Sequence, residues 1–163
     1  MTRELAATCL YVGYVPGAPG TFASLLALAL GLIVHALAGG VLGGLIILAA
    51  ALAIISPAAR LGTWAESFFN RKDPPPFVLD ELAGCLLSLA PAFMVFPQVQ
   101  YFLLGGIPFG FFRIFDITKP YPANRLERIR GGWGIMLDDV AAGAYAAVAS
   151  VATLAVLAWA QMA

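Results

Sequence analysis

Five carboxylates, two cations and one glycine-bearing turn sit at the edges of apolar runs in this chain. Asp80 and Glu81 precede the run that begins at Leu82, and Asp138 and Asp139 precede the run that begins at Val140. Arg113, Asp116 and Lys119 follow the run that closes at Phe112. The segment Pro16-Gly17-Ala18-Pro19-Gly20-Thr21 leads into the first apolar run. Carboxylates grouped without His or Cys are hard oxygen ligands of the kind that suit Mg²⁺. An arginine grips a phosphate with its planar fork, and Lys119 adds a second cation. Glycines ahead of a helix let backbone N–H groups turn toward an anion, and Thr21 and Ser24 add hydroxyls. The chemistry open to this set is metal-assisted attack on phosphorus, by water or by an aspartate.

Each feature also has a plainer use. An Asp at a helix start caps it and favours the dipole. Both acidic sites carry two acids, however, and neighbours on a helix point about 100° apart, so one can cap while the other faces inward. Gly84 follows Asp80 by four and Gly143 follows Asp139 by four, which permits close approach of another backbone or simply ordinary helix packing. Arg113 and Asp116, three apart, share a helical face and can form an ion pair. Gly131-Gly132-Trp133-Gly134 is a second turn of the same kind as the first. Arg125, Arg128 and Arg130 suit anionic lipid headgroups. His35 lies mid-run as a core histidine, and Cys9 and Cys85 lack a CxxC partner and read as small apolar fillers. No Cys-His or Ser-His nucleophile can be assembled.

The elements that must position these groups follow from composition. Of 163 residues, 61% are hydrophobic and 11% charged, nine cations balance nine acids, and the mean hydropathy is +0.90. A soluble domain carries about 25% charged residues, and a nucleic-acid binder shows a basic face. Both are disfavoured, as is a disordered chain. A small all-α integral membrane protein fits, as one membrane-embedded domain over residues 1–163 with no cleaved signal segment. Helices are expected over Phe22–Ala38 and Val41–Ser56, joined at Gly39-Gly40 and closed by Pro57. Leu82–Phe112 is too long for one span and should be a hairpin turning near Pro97. Val140–Ala160 makes a fifth span. The fourth, with Gly105, Gly106, Pro108 and Gly110, is open to a kinked or re-entrant form. Arg60–Asn70 has an apolar arc (Leu61, Trp64, Ala65, Phe68, Phe69) and reads as a separate amphipathic helix, either at the cytoplasmic interface or packed on the protein's own cytoplasmic loops. Cations cluster after the first hairpin and after the second, so both clusters lie on the cytoplasmic side if the positive-inside rule holds. The candidate site then faces the cytoplasm, with the N-terminus in and the C-terminus out. A small transporter or channel binding cations at its cytoplasmic mouth is the alternative, although carriers more often place acids near the bilayer midplane.

The strings PGAPGTFASL (16–25), LDELAG (79–84), FRIFDITKPYP (112–122) and GGWGIMLDDVAAG (131–143) resemble the signature segments of the phosphatidylglycerophosphatase A family, in the family's order. The resemblance implies a multi-pass protein of the bacterial inner membrane that uses Mg²⁺ to hydrolyse phosphatidylglycerophosphate to phosphatidylglycerol and inorganic phosphate. It places the family's acidic positions on Asp80, Glu81, Asp116, Asp138 and Asp139. The basic positions fall on Arg113 and Lys119, and the Pro/Gly-Thr motif on Pro19, Gly20 and Thr21. On this reading Asp80, Asp116 and Asp139 hold the metal, Glu81 and Asp138 are further ligands or the general base, and Arg113, Lys119, Gly20 and Thr21 bind the substrate phosphate. The chain departs from the family in its short start and in Ala18, neither of which touches a charged position.

Overall fold

The computed structural model describes residues 2–161, and the described residues are all helix, turn and loop. Helix α1 (Thr2–Ala7) and a 3₁₀ turn (Val12–Tyr14) lead into α2 (Pro19–Ala38), α3 (Gly40–Phe68), α4 (Leu79–Val95), α5 (Tyr101–Thr118), the short α6 (Ala123–Leu126) and α7 (Gly132–Ala160). Among the described residues, α2, α3, α5 and α7 are long and apolar enough to cross a membrane. The fifth long helix, α4, has 17 residues, at the lower edge of the spanning range. It is enclosed by α2, α3, α5 and α7. Its inward positions, Leu86, Leu89, Ala90 and Phe93, form the middle of the main core with Ile47, Leu104 and Phe112.

The first hairpin turns where the glycine pair lies. Gly39 takes φ +73, and its N–H still reaches the His35 carbonyl at 2.8 Å. The second turns through Phe96–Gln100. The two turns meet at the same end of the bundle, for a Cβ on Gly40 would lie 3.3 Å from Pro97. α5 is one continuous helix through Pro108.

Two boundaries differ from expectation. The break at Pro57 does not occur: α3 runs through it for 29 residues, so the amphipathic segment at 60–70 is the second membrane helix continued and not a separate element. An interior proline costs about 3 kcal/mol. Beyond it, Ala58, Ala59 and Ala65 bury against Phe77, Ile135 and Met136, which offsets that loss. At 1.5 Å per residue α3 is about 43 Å long, some 13 Å more than a hydrocarbon core. The last helix starts at Gly132, eight residues before Val140. Glycine is required there: a Cβ on Gly132 would strike the Ala59 carbonyl, and one on Gly134 the Ile129 carbonyl. The Gly132 N–H donates to Thr63 Oγ1 at 2.9 Å, fixing the start of α7 on α3.

All nine acids and all nine cations lie in the half of the bundle opposite the two hairpin turns.

Candidate active site at the charged end of the bundle

Two pairs of acids are brought together by one close helix contact. A Cβ on Gly143 of α7 would collide with the backbone of Gly84 on α4, and one on Gly84 would lie 2.6 Å from the Asp139 carbonyl oxygen. Backbone-to-backbone contact at this crossing sets the acids of one helix against those of the other, one turn away.

Neither pair caps its helix. Val78 occupies the cap position of α4 and no side chain bonds there, while Asp80 and Glu81 lie in the first turn. Asp138 and Asp139 sit two turns inside α7 because the helix begins early. Asp80, Asp138 and Asp139 are only 5%, 3% and 4% exposed. Carboxylate oxygens of Asp80, Glu81 and Asp139 lie within 4.8 Å of one another. Asp80 Oδ1 and Glu81 Oε2 are buried with no hydrogen-bond partner. Buried acceptors left unpaired are costly, and three like charges at this spacing repel. A hard divalent cation satisfies both deficits, so the donor set fits Mg²⁺.

The other two acids each hold a cation. Asp116 pairs with Arg113 on the same face of α5, and its carboxyl lies beside that of Asp139. The three carboxylates that converge are thus Asp80, Glu81 and Asp139, with Asp116 adjoining them through Asp139. Arg113 Nη1 also reaches Ser24 Oγ at 3.4 Å, and that hydroxyl donates to the Gly20 carbonyl at 2.8 Å. Asp138, about 100° round α7 from Asp139, accepts from Lys119 Nζ at 2.6 Å. Lys119 ends α5 with φ +42, which breaks the helix and frees its side chain to cross to α7. Burial works to lower the Lys119 pKa, but the bond to Asp138 outweighs it and holds the ammonium above its ordinary value. The lysine is thus a fixed positive charge throughout the physiological range.

The glycine turn closes the site from α2. Pro19, at the first helical position, suits its fixed φ. Gly20 packs on the Glu81 carboxylate, in space that a Cβ would fill. Gly20 and Thr21, in the first turn, carry backbone N–H groups without intrahelical partners; Thr21 is half-buried. Sequence reasoning missed Glu127. Its carboxylate lies 3.6 Å from Lys119 Nζ, and its carbonyl accepts from Lys72 Nζ at 2.9 Å. It stands in an irregular segment, where no periodicity marks it. A cavity of about 550 Å³ between the Phe96–Gln100 turn and the end of α7 lies at the opposite end, and no titratable side chain lines it.

The Lys119–Asp138 pair gives a direct test. Lys119→Met should destabilise the protein by about 3 kcal/mol, because a buried carboxylate is left without its counter-charge. Adding Asp138→Asn should recover most of that loss. Thermal unfolding of both variants checks this, and a double variant no more stable than the single one would contradict it.

The family model described as phosphatidylglycerophosphatase A matches residues 5–154. A Bacteroides thetaiotaomicron protein, provisionally named phosphatidylinositol-3-phosphatase, is 34% identical over 136 residues, or 82% of this chain and 81% of that protein. Phosphatidylglycerophosphatase A of Haemophilus influenzae is 33% identical over 83% of this chain and 78% of its own length. The Escherichia coli protein of the same name is 36% identical over 46% of this chain and 41% of its own length. No solved structure matches.

Proposed function

The chain belongs to the phosphatidylglycerophosphatase A family of lipid phosphatases, and from that premise we propose that it removes the terminal phosphate of phosphatidylglycerophosphate with the help of Mg²⁺. The observation that carries this reading is the trio Asp80, Glu81 and Asp139, with two unpartnered buried oxygens, flanked by Arg113 and Lys119. Asp80, Glu81 and Asp139 would hold the ion, which when bound offsets their repulsion and draws electron density from a phosphoryl oxygen.

The chain's own groups do the rest. Arg113, Lys119 and the free N–H groups of Gly20 and Thr21 bind the remaining phosphoryl oxygens and neutralise charge as it develops. Asp116 and Asp138 orient the two cations, each through a direct ion pair. Enclosure between helix ends removes competing water and strengthens each of these contacts. In the net reaction water supplies an oxygen to phosphorus, the bond from phosphorus to the glycerol oxygen breaks, and that oxygen takes a proton to leave phosphatidylglycerol. The whole chain acts as a single phosphatase domain in the bacterial inner membrane. The excess of cations on the segments around the site favours a cytoplasmic orientation, where the headgroup meets the acids while the acyl chains stay in the bilayer.

The test is phosphate release by purified protein in mixed micelles. Release from phosphatidylglycerophosphate should require Mg²⁺, cease with EDTA and return when Mg²⁺ is restored. Phosphatidylinositol-3-phosphate, the substrate in one relative's name, should turn over at least about tenfold less efficiently in kcat/KM, a difference of about 1.4 kcal/mol in transition-state binding. Mg²⁺-independent release, or a preference for the inositol lipid, would overturn the assignment.

A further inference from the structure

A second, oppositely charged cavity lies beyond the acid cluster. It is an open groove of about 600 Å³ between the end of α3 and the segment before α7, lined by the exposed Arg71, Lys72, Arg128 and Arg130 together with Glu66 and Asn70. Four cations therefore converge against one carboxylate. Among the described residues, none of Arg71, Arg128 and Arg130 forms an ion pair; Lys72 spends its ammonium on the Glu127 carbonyl. Like charges gathered around a concave wall raise a local positive potential that concentrates anions. Arginine forks match the oxygens of a phosphate two at a time.

Depth decides which anion. Gly131 lines the cavity and lies eight positions before Asp139, along the first turns of α7. At 1.5 Å per residue the cavity lies about 12 Å farther from the hairpin turns than the acids do. A lipid whose terminal phosphate sits at the acids has its phosphodiester on the other side, toward the acyl chains. We infer that this cavity is a binding site for a water-soluble, phosphate-bearing anion, separate from the acid cluster. Glu127 touches both regions, through its carbonyl to Lys72 and its carboxylate to Lys119. The inference stands apart from the proposed reaction, since it concerns binding without turnover.

Calorimetric titration of the full chain in an uncharged detergent, with EDTA present, tests it with inorganic phosphate and pyrophosphate as probes. Wild type should bind both, pyrophosphate more tightly. Arg128→Gln/Arg130→Gln should weaken binding at least about tenfold, the scale of one lost charged hydrogen bond. Arg71→Gln alone should weaken it less, and Arg60→Gln, at an exposed cation outside the cavity, should leave it within about twofold. These side chains are exposed or outside the cavity, and an unchanged helical spectrum verifies each fold. Three results would each overturn the inference: no binding by wild type, binding lost in Arg60→Gln but kept in the double variant, or no soluble-anion binding alongside Arg128/Arg130-dependent capture of phosphatidylglycerol vesicles.

Discussion

Asp139→Asn should lower Mg²⁺-dependent phosphate release at least about a hundredfold while the protein remains folded. Losing a group that merely supports a metal ligand typically costs 10–100-fold, and Asp139 is proposed as a ligand itself. It alone brings α7 into the carboxylate trio, against Asp80 and Glu81 from α4. Asparagine keeps the shape and removes one charge. In the absence of metal that charge sits among repelling neighbours, so the variant's thermal midpoint without Mg²⁺ should not fall below that of wild type. The stabilisation that added Mg²⁺ confers on wild type should shrink or vanish. The pair of readouts separates loss of a ligand from loss of the fold. Turnover within tenfold of wild type would remove Asp139 from the metal site.

Gly143→Ala should cut activity at least about tenfold and destabilise the protein by about 1–3 kcal/mol, despite alanine's better helix propensity of about 1 kcal/mol. The new methyl meets the Gly84 backbone, which cannot rotate away as a side chain would. The helices must part, and the acids one turn along part with them. Gly84→Ala meets the Asp139 carbonyl and the Phe112 ring and should act alike. Both variants address one crossing, so their combined cost should be less than the sum. Thermal unfolding and phosphate release measure the two effects, and wild-type activity in either variant would show that the crossing does not set the site.

Much of this site was legible because charge is scarce in the chain. With 11% charged residues, acids at the edges of apolar runs stand out, and the four-residue offsets to Gly84 and Gly143 permitted, beside ordinary helix packing, the close crossing that the fold contains. The grouping of acids was not legible. Local spacing fixes which residues share a face of one helix, but not how two helices are rotated against each other; that rotation puts Glu81 with Asp80 and Asp139 and sets Asp116, paired with Arg113, beside Asp139. The early start of α7 was hidden because Gly131–Gly134 has the composition of a loop, whereas its glycines serve contact with Ala59 and Ile129. Pro57 misled for a related reason: local propensity favours a break, and burial of Ala58, Ala59 and Ala65 overrides it.

The two hairpin turns, Gly39-Gly40 and Phe96–Gln100, contain no ionisable side chain. During biogenesis each helical pair can therefore enter the bilayer as a unit, with only a neutral loop translocated. An Asp, Lys or Arg held at the centre of a membrane helix costs about 2.5–3.5 kcal/mol, and neither loop incurs that barrier. Confining the charged side chains to one end thus lets the helical pairs insert cheaply and leaves those side chains on the side where insertion begins.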